Sequence, residues 1–237
     1  MIGKYVLSGG LQAVLAITLS TLISLLLLPK FIYLINPFSY LISGSVVSLI
    51  TLKKGMLYTL QPLVLSWFIL LALGITQERL TQEVMIIWLP ILFLSGILRF
   101  SENQGVLIFF AGLATIIFYL IIGDLSTWWN EGLSIAFEQA LPSEHLDAYQ
   151  LVFDSMAKLM NTLVMFYMLI AILFARWWQS RLFNSGGFRK EFYALRVPKI
   201  VLPIFVVIVI LAFISGDLRQ DIFRDVLVIL IFISEIS

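Results

Sequence analysis

The feature that most constrains this chain is a succession of apolar runs. Each is close to a bilayer in length and most end in charge, proline or glycine. They are Leu11–Leu28, Phe38–Leu52, Met56–Gly74, Val84–Phe100, Gly105–Gly123, Leu159–Ala175 and Ile200–Gly216. A helix needs about 20 largely apolar residues to cross hydrocarbon. An eighth run begins at Val226 and is cleanly apolar only as far as Ile233, so either its helix starts nearer Ile222 or the chain ends inside its last span. With 61% hydrophobic and 12% charged residues, the chain falls far from the roughly 25% charge of soluble domains. The predicted fold class is all-α: a polytopic transmembrane bundle of seven or eight spans, forming one domain over residues 1–237.

The breaks between runs follow from energetics. One helix over residues 38–74 would bring Lys53 and Lys54 near the bilayer centre, at about 3 kcal/mol each. A break at Lys53-Lys54-Gly55 avoids this. Arg99, Glu102, Asn103 and Gln104 separate the next pair of runs in the same way. Lys4 and the first run have the look of a signal anchor without a small-x-small cleavage site.

Threading the runs from a cytoplasmic N-terminus places Lys4, Lys53, Lys54, Arg99, Arg176, Arg181, Arg189, Lys190, Arg196 and Lys199 inside, and the other five of the 15 basic residues outside. Excess Lys and Arg on cytoplasmic loops is the signature of orientation, and the opposite threading violates it. The expected location is a bacterial inner membrane, with the N-terminus on the cytoplasmic side. Trp128-Trp129 and Trp177-Trp178 lie just past two predicted span ends, where indole rings favour the headgroup level.

Catalytic chemistry is scarce. There is no cysteine, so disulfides and thiolate metal sites are excluded. His145, the one histidine, lies beside Glu144 and Asp147 without metal-ligand spacing, and reads as a solvated residue at a helix start. The predicted span interiors hold no ionisable residue, which speaks against a proton-coupled pump or an intramembrane protease. No phosphate-binding, nucleophile-elbow or zinc-protease motif is present. A net charge of +1 implies no nucleic-acid partner. The expectation is a non-enzyme with no cofactor and no metal, and any uphill transport would draw its energy from another subunit.

Three segments stand out. Residues 124–158 are predicted outside the membrane, where Leu133, Ala136, Phe137, Ala140 and Leu141 form one apolar helical face. That face reads as an interfacial helix, or as a lid over an outward-facing cavity. In the second run, Ser43, Gly44, Ser45 and Ser48 form a small-residue face with Gly44 and Ser48 at packing spacing. It reads as a helix-packing surface, with a neutral ligand as the alternative. Residues 176–199 form a basic cytoplasmic connection, in which Asn184 to Gly187 predict a tight turn and Phe188, Phe192 and Leu195 a short amphipathic helix before Pro198. Its charges suit an anionic inner leaflet, and its pattern of aromatics and glycines suits docking of a cytoplasmic partner. The docking candidates are Arg176, Trp177, Trp178, Asn184, Gly186, Gly187, Phe188, Arg189, Glu191 and Arg196.

The segment Ala175-Arg176-Trp177-Trp178-Gln179, with Asn184, Gly186-Gly187-Phe188-Arg189, Glu191-Phe192 and Leu195-Arg196, resembles the signature loop of the YybS-like family of bacterial multi-pass membrane proteins. Ser185 stands where that family usually has proline. Leu11-Gln12-Ala13, Leu52-Lys53-Lys54-Gly55 and Leu98-Arg99 are similar as well. The resemblance covers most of the chain, but only the loop is specific, and it implies a last span fuller than Val226–Ile233. It also implies a fold similar to the substrate-binding S components of energy-coupling-factor transporters. On that analogy the chain would be a substrate-binding subunit of a small-molecule importer, energised by a separate complex docking from the cytoplasm. The competing expectation, from the lack of convergent polar groups in the spans, is a non-transporting scaffold of the cell-envelope machinery.

Overall fold

A computed structural model of the protein describes residues 2–27, 41–73, 78–122 and 160–193. Among them are eight helices and no strand: α1 (Ile2–Val6), α2 (Gly10–Leu27), α3 (Leu41–Lys54), α4 (Met56–Ala72), α5 (Glu78–Ser101), α6 (Gln104–Ile122), α7 (Met160–Phe183) and α8 (Gly187–Tyr193). Helices α2 to α7 fall on the first six apolar runs. The runs at Ile200–Gly216 and Val226–Ile233, and the segment 124–158 with His145, lie outside the described residues. Within α7, Leu163–Phe183 is long and apolar enough to cross a membrane by length and composition. Gly10–Ser24, Met56–Ala72, Ile87–Ser101 and Gln104–Ala114 are shorter apolar helical stretches.

Local chemistry sets the helix ends. Gly55 alone joins α3 to α4, with φ 100° and ψ 163°, a conformation essentially open only to glycine. Its N–H closes the last turn of α3 on the Thr51 carbonyl at 2.9 Å, and its own carbonyl accepts from the Thr59 hydroxyl at 2.8 Å. The α5–α6 join is two residues long. Glu102 takes φ 51° after its N–H bonds the Leu98 carbonyl, and Asn103 caps α6 by accepting from the N–H groups of Gly105 (2.8 Å) and Val106 (3.3 Å).

Helix α3 is the hub. Ten consecutive residues, Ser43–Leu52, are buried, and the helix packs against α2, α4, α5 and α7. A helix buried on every face needs small side chains if its neighbours are to come close. The Gly44 position lies against Ile91 of α5 and Ala171 of α7. Three α3 hydroxyls bond outward. Ser43 accepts from the Trp88 indole N–H at 3.3 Å, Ser48 accepts from the Ser95 hydroxyl at 2.8 Å, and Ser45 donates to the Ala171 carbonyl at 3.2 Å. The two α3–α5 pairs advance together along the chain, and Ser45–Ala171 is followed by Lys53 over the Phe183 ring, so α3, α5 and α7 run parallel. Val14 and Ser66 meet across α2 and α4 at 3.2 Å, and Gly10 lies near Tyr58, so that pair runs parallel as well. The Gly55 turn sends α4 back along α3, in the opposite sense.

Large apolar side chains fill the core and also cover much of the outer face, while small hydroxyls are buried among them. Thr18, Thr21, Ser24, Ser43, Ser45, Ser48, Thr51, Thr59, Ser66 and Ser95 are buried. Leu11, Leu15, Leu19 and Ile23 form a stripe along the exposed face of α2, and Leu57, Leu65, Phe68, Leu71, Leu89, Phe93, Ile170 and Phe174 are exposed on α4, α5 and α7. Most buried hydroxyls also bond the carbonyl one turn back, as Thr21 does to Ile17 and Ser24 to Ser20, both at 2.8 Å. Gln104, read from sequence as part of a polar break, is instead buried at the start of α6, and neither side-chain amide atom has a hydrogen-bond partner among the described residues.

Two outcomes follow. Gly55→Ala should cost about 1–3 kcal/mol, the price of a side chain in a glycine-only conformation, read as a lower unfolding midpoint in detergent. A double-mutant cycle of Ser48→Ala and Ser95→Ala should return a coupling of about 0.5–1.5 kcal/mol, the usual net worth of a hydrogen bond; additive effects would show that the bond contributes nothing.

Candidate functional site: a basic corner at one end of the bundle

The basic residues gather where α3, α5 and α7 end. The Arg99 guanidinium donates to the carbonyls of Thr51 and Leu52, each at 3.3 Å. The Lys53 ammonium sits 4.2 Å from the centroid of the Phe183 ring, and Lys54 lies over Tyr58 at 5.7 Å. Helix α1, carrying Lys4, packs against α7, and Gly3 lies against Trp178 and Leu182. Arg176, Arg181, Arg189 and Lys190 complete the set from α7 and α8. Of the basic residues in described helices, only Arg79, in the first turn of α5, is at the opposite end.

The segment expected as a connection from Arg176 onward is helical through Phe183. No residue there opposes a helix, and Arg176, at the edge of the apolar stretch, has partners. Its guanidinium grips Glu191 of α8 with both carboxylate oxygens, at 2.9 and 2.7 Å, and also donates to the Gln179 side chain. The two ion-paired side chains are 24% and 27% exposed, shielded enough for a two-pronged pair to hold α8 in place. The chain reverses at Asn184–Gly186. The Gly186 φ of 89° lies in the region glycine favours. Ser180 pins the reversal from both sides, donating to the Asn184 carbonyl at 2.7 Å and accepting from the Phe188 N–H at 3.0 Å. Helix α8 has no buried residue; its Phe188 and Phe192 rings lie 5.9 Å apart on one face.

The structure thus brings Arg176, Trp177, Trp178, Asn184, Gly186, Gly187, Phe188, Arg189 and Glu191 into one corner. The tryptophan pair divides: Trp178 packs against the core, and Trp177 is exposed, against Phe174. Gly44 and Ser48 sit in the core of α3, away from this corner. Arg196 and the pair Trp128-Trp129 lie outside the described residues. Three contributors are absent from the sequence-based set. Ser180 pins the turn, Lys53 reaches it from α3, and Arg181 stacks on Trp177 at 5.3 Å. The Ser180–Asn184 spacing of one helical turn was the available signal for the first. A cleft of about 270 Å³ opens between α7 and α8, lined by Trp177, Ser180, Arg181, Ser185, Gly186, Phe188 and Arg189. No group of three or more metal-ligating side chains occurs among the described residues. No family model, curated protein or solved structure matches this chain.

Losing one partner of a charged hydrogen-bonded pair costs about 1.5–3 kcal/mol. Glu191→Ala should therefore release α8: amide hydrogen exchange over 187–193 accelerates while that over 43–52 is unchanged. The swap Arg176→Glu with Glu191→Arg should restore part of the protection.

Proposed function

We propose that this chain is a multi-pass protein of the bacterial inner membrane, a bundle of seven or eight spans with its basic end in the cytoplasm, and that it acts through a partner docked at the α7–α8 corner. The observation that carries this reading is the apolar outer face: stripes of leucine, isoleucine and phenylalanine face outward while serines and threonines are buried within the core. Water penalises such a surface and lipid does not. The collection of Lys4, Lys53, Lys54, Arg99, Arg176, Arg181, Arg189 and Lys190 at one end supports the orientation through the positive-inside bias.

The finer reading is a substrate-binding subunit of a small-molecule importer, energised by a separate cytoplasmic complex. It draws on the resemblance of the Arg176–Arg196 segment to the YybS-like family and, through that family, to S components. The braced corner supports it as well. Its reversal is fixed by Ser180 and by the Arg176–Glu191 pair, so a partner meets a surface already in shape. A second reading, a scaffold of the cell-envelope machinery, is favoured by one observation: the hydroxyls of α3 spend their hydrogen bonds within the bundle rather than on a cavity. In both readings the chain performs no catalysis of its own.

Because the chain has no cysteine, single cysteines report topology cleanly. A membrane-impermeant maleimide should label Lys190→Cys only in inside-out vesicles and Leu73→Cys only in right-side-out ones; the reverse pattern sinks the orientation. Affinity purification in mild detergent followed by native mass spectrometry separates the two functions. The importer reading expects a co-purifying ATPase and a retained small molecule, and is lost if neither is present. A cell-envelope partner in their place supports the scaffold.

A further inference from the structure

The cleft between α7 and α8 has a composition that docking alone does not explain. Two guanidiniums line it, and neither has a carboxylate partner among the described residues: the nearby Glu191 is taken by Arg176. Each lies on an aromatic ring one turn away, Arg181 over Trp177 at 5.3 Å and Arg189 over Tyr193 at 5.5 Å. A cation over an aromatic face keeps its charge, and a guanidinium offers planar N–H donors in a fork that matches the oxygens of a phosphate. At about 270 Å³ the cleft is smaller than the roughly 300–1,000 Å³ pockets that take drug-sized ligands. It suits a compact anion.

A second observation indicates the source of that anion. Ile170, Phe174 and Trp177 are exposed on α7, and with Arg181 they follow i, i+4, i+7, i+11, so all four share one face of the helix. The exposed apolar strip therefore ends at a cation on the rim of the cleft. Phe183, Phe192 and Tyr193 add further exposed aromatic surface at this end. A soluble phosphate has no use for the strip, whereas a phospholipid does: its acyl chains lie along Phe174 and Ile170 while its phosphate reaches the cleft.

We propose that the α7–α8 cleft is a binding site for the phosphodiester of an anionic phospholipid, with Arg181 and Arg189 holding the phosphate and the Ile170–Phe174–Trp177 face receiving an acyl chain. Lys190, next to Arg189 in the chain, raises the local positive potential and favours a lipid with net negative charge over a zwitterionic one. The site rests on the membrane reading but not on its orientation or on a docked partner.

The test uses the full chain in nanodiscs of phosphatidylcholine containing one-tenth phosphatidylglycerol, in which both faces are accessible. Gentle ejection and native mass spectrometry count retained lipid. The expected result is phosphatidylglycerol held in preference to phosphatidylcholine, with retention falling at least tenfold in Arg181→Gln/Arg189→Gln. Ser185→Glu, which sets a carboxylate in the cleft at an exposed position, should reduce it similarly. Both variants change exposed side chains, and thermal unfolding matching the parent shows that they fold. Retention unchanged in both variants overturns the site. Displacement of the lipid by millimolar inorganic phosphate, with the same dependence on the two arginines, overturns the lipid as the source and leaves a soluble phosphate site. If cysteine labelling places the corner outside the cell while the lipid is still retained, the orientation fails and the site stands.

Discussion

The structure depends on α3 being approachable from every side. A buried stretch, Ser43–Leu52, made mostly of serine, glycine, threonine and valine lets four neighbours come close, and its hydroxyls then find partners on two of them. Larger side chains at Ser43, Gly44, Ser45 and Ser48 would hold α5 and α7 apart. Trp88 shows the other half of the fit: the largest residue type is completely buried, and its one polar atom points at Ser43. Each of these bonds is weak on its own. Together they fix the relative register of α3, α5 and α7, and that register carries Lys53, Arg99 and Phe183 to the same end.

That arrangement explains how a chain with few polar groups builds a detailed corner. Helix α8 is not held by a hydrophobic core, since it buries no residue. It is held by one two-pronged ion pair, one serine serving two backbone groups, and one glycine with positive φ. Such contacts are directional, so they determine shape more than they add stability. A surface of that kind is suited to recognition.

Much of this was legible in the sequence because apolar runs of helix length alternate with charged, proline or glycine breaks. The Lys53-Lys54-Gly55 break, the Asn184–Gly187 turn and the small-residue face of α3 all followed from local chemistry. The places where reading fell short involve distant partners. Arg176 looked like the start of a connection because its charge ends the apolar run, yet the helix continues past it and the guanidinium pairs with Glu191, fifteen residues on. Gln104 looked like loop and is buried, because Asn103 took the capping role at the step before. Trp177 and Trp178 looked equivalent, and only the packing of α1 and α7 separates them. The periodicity of a single helix says which residues share a face; it does not say what that face meets.

The parallel run of α3, α5 and α7 has an electrostatic consequence. Each helix carries a partial negative charge at its C-terminus from aligned peptide dipoles, and three such ends are gathered at one side of the bundle. The positive N-termini of α2 and α4, at the same end, offset part of this charge. Lys53 and Lys54 occupy the last turn of α3, Arg99 that of α5 and Arg181 that of α7. The Arg99 contacts with the Thr51 and Leu52 carbonyls reach across to the end of a neighbouring helix. The residues that would decide which way the chain enters a membrane are therefore also the counter-ions of its own backbone, so topology and helix termination draw on the same few charges.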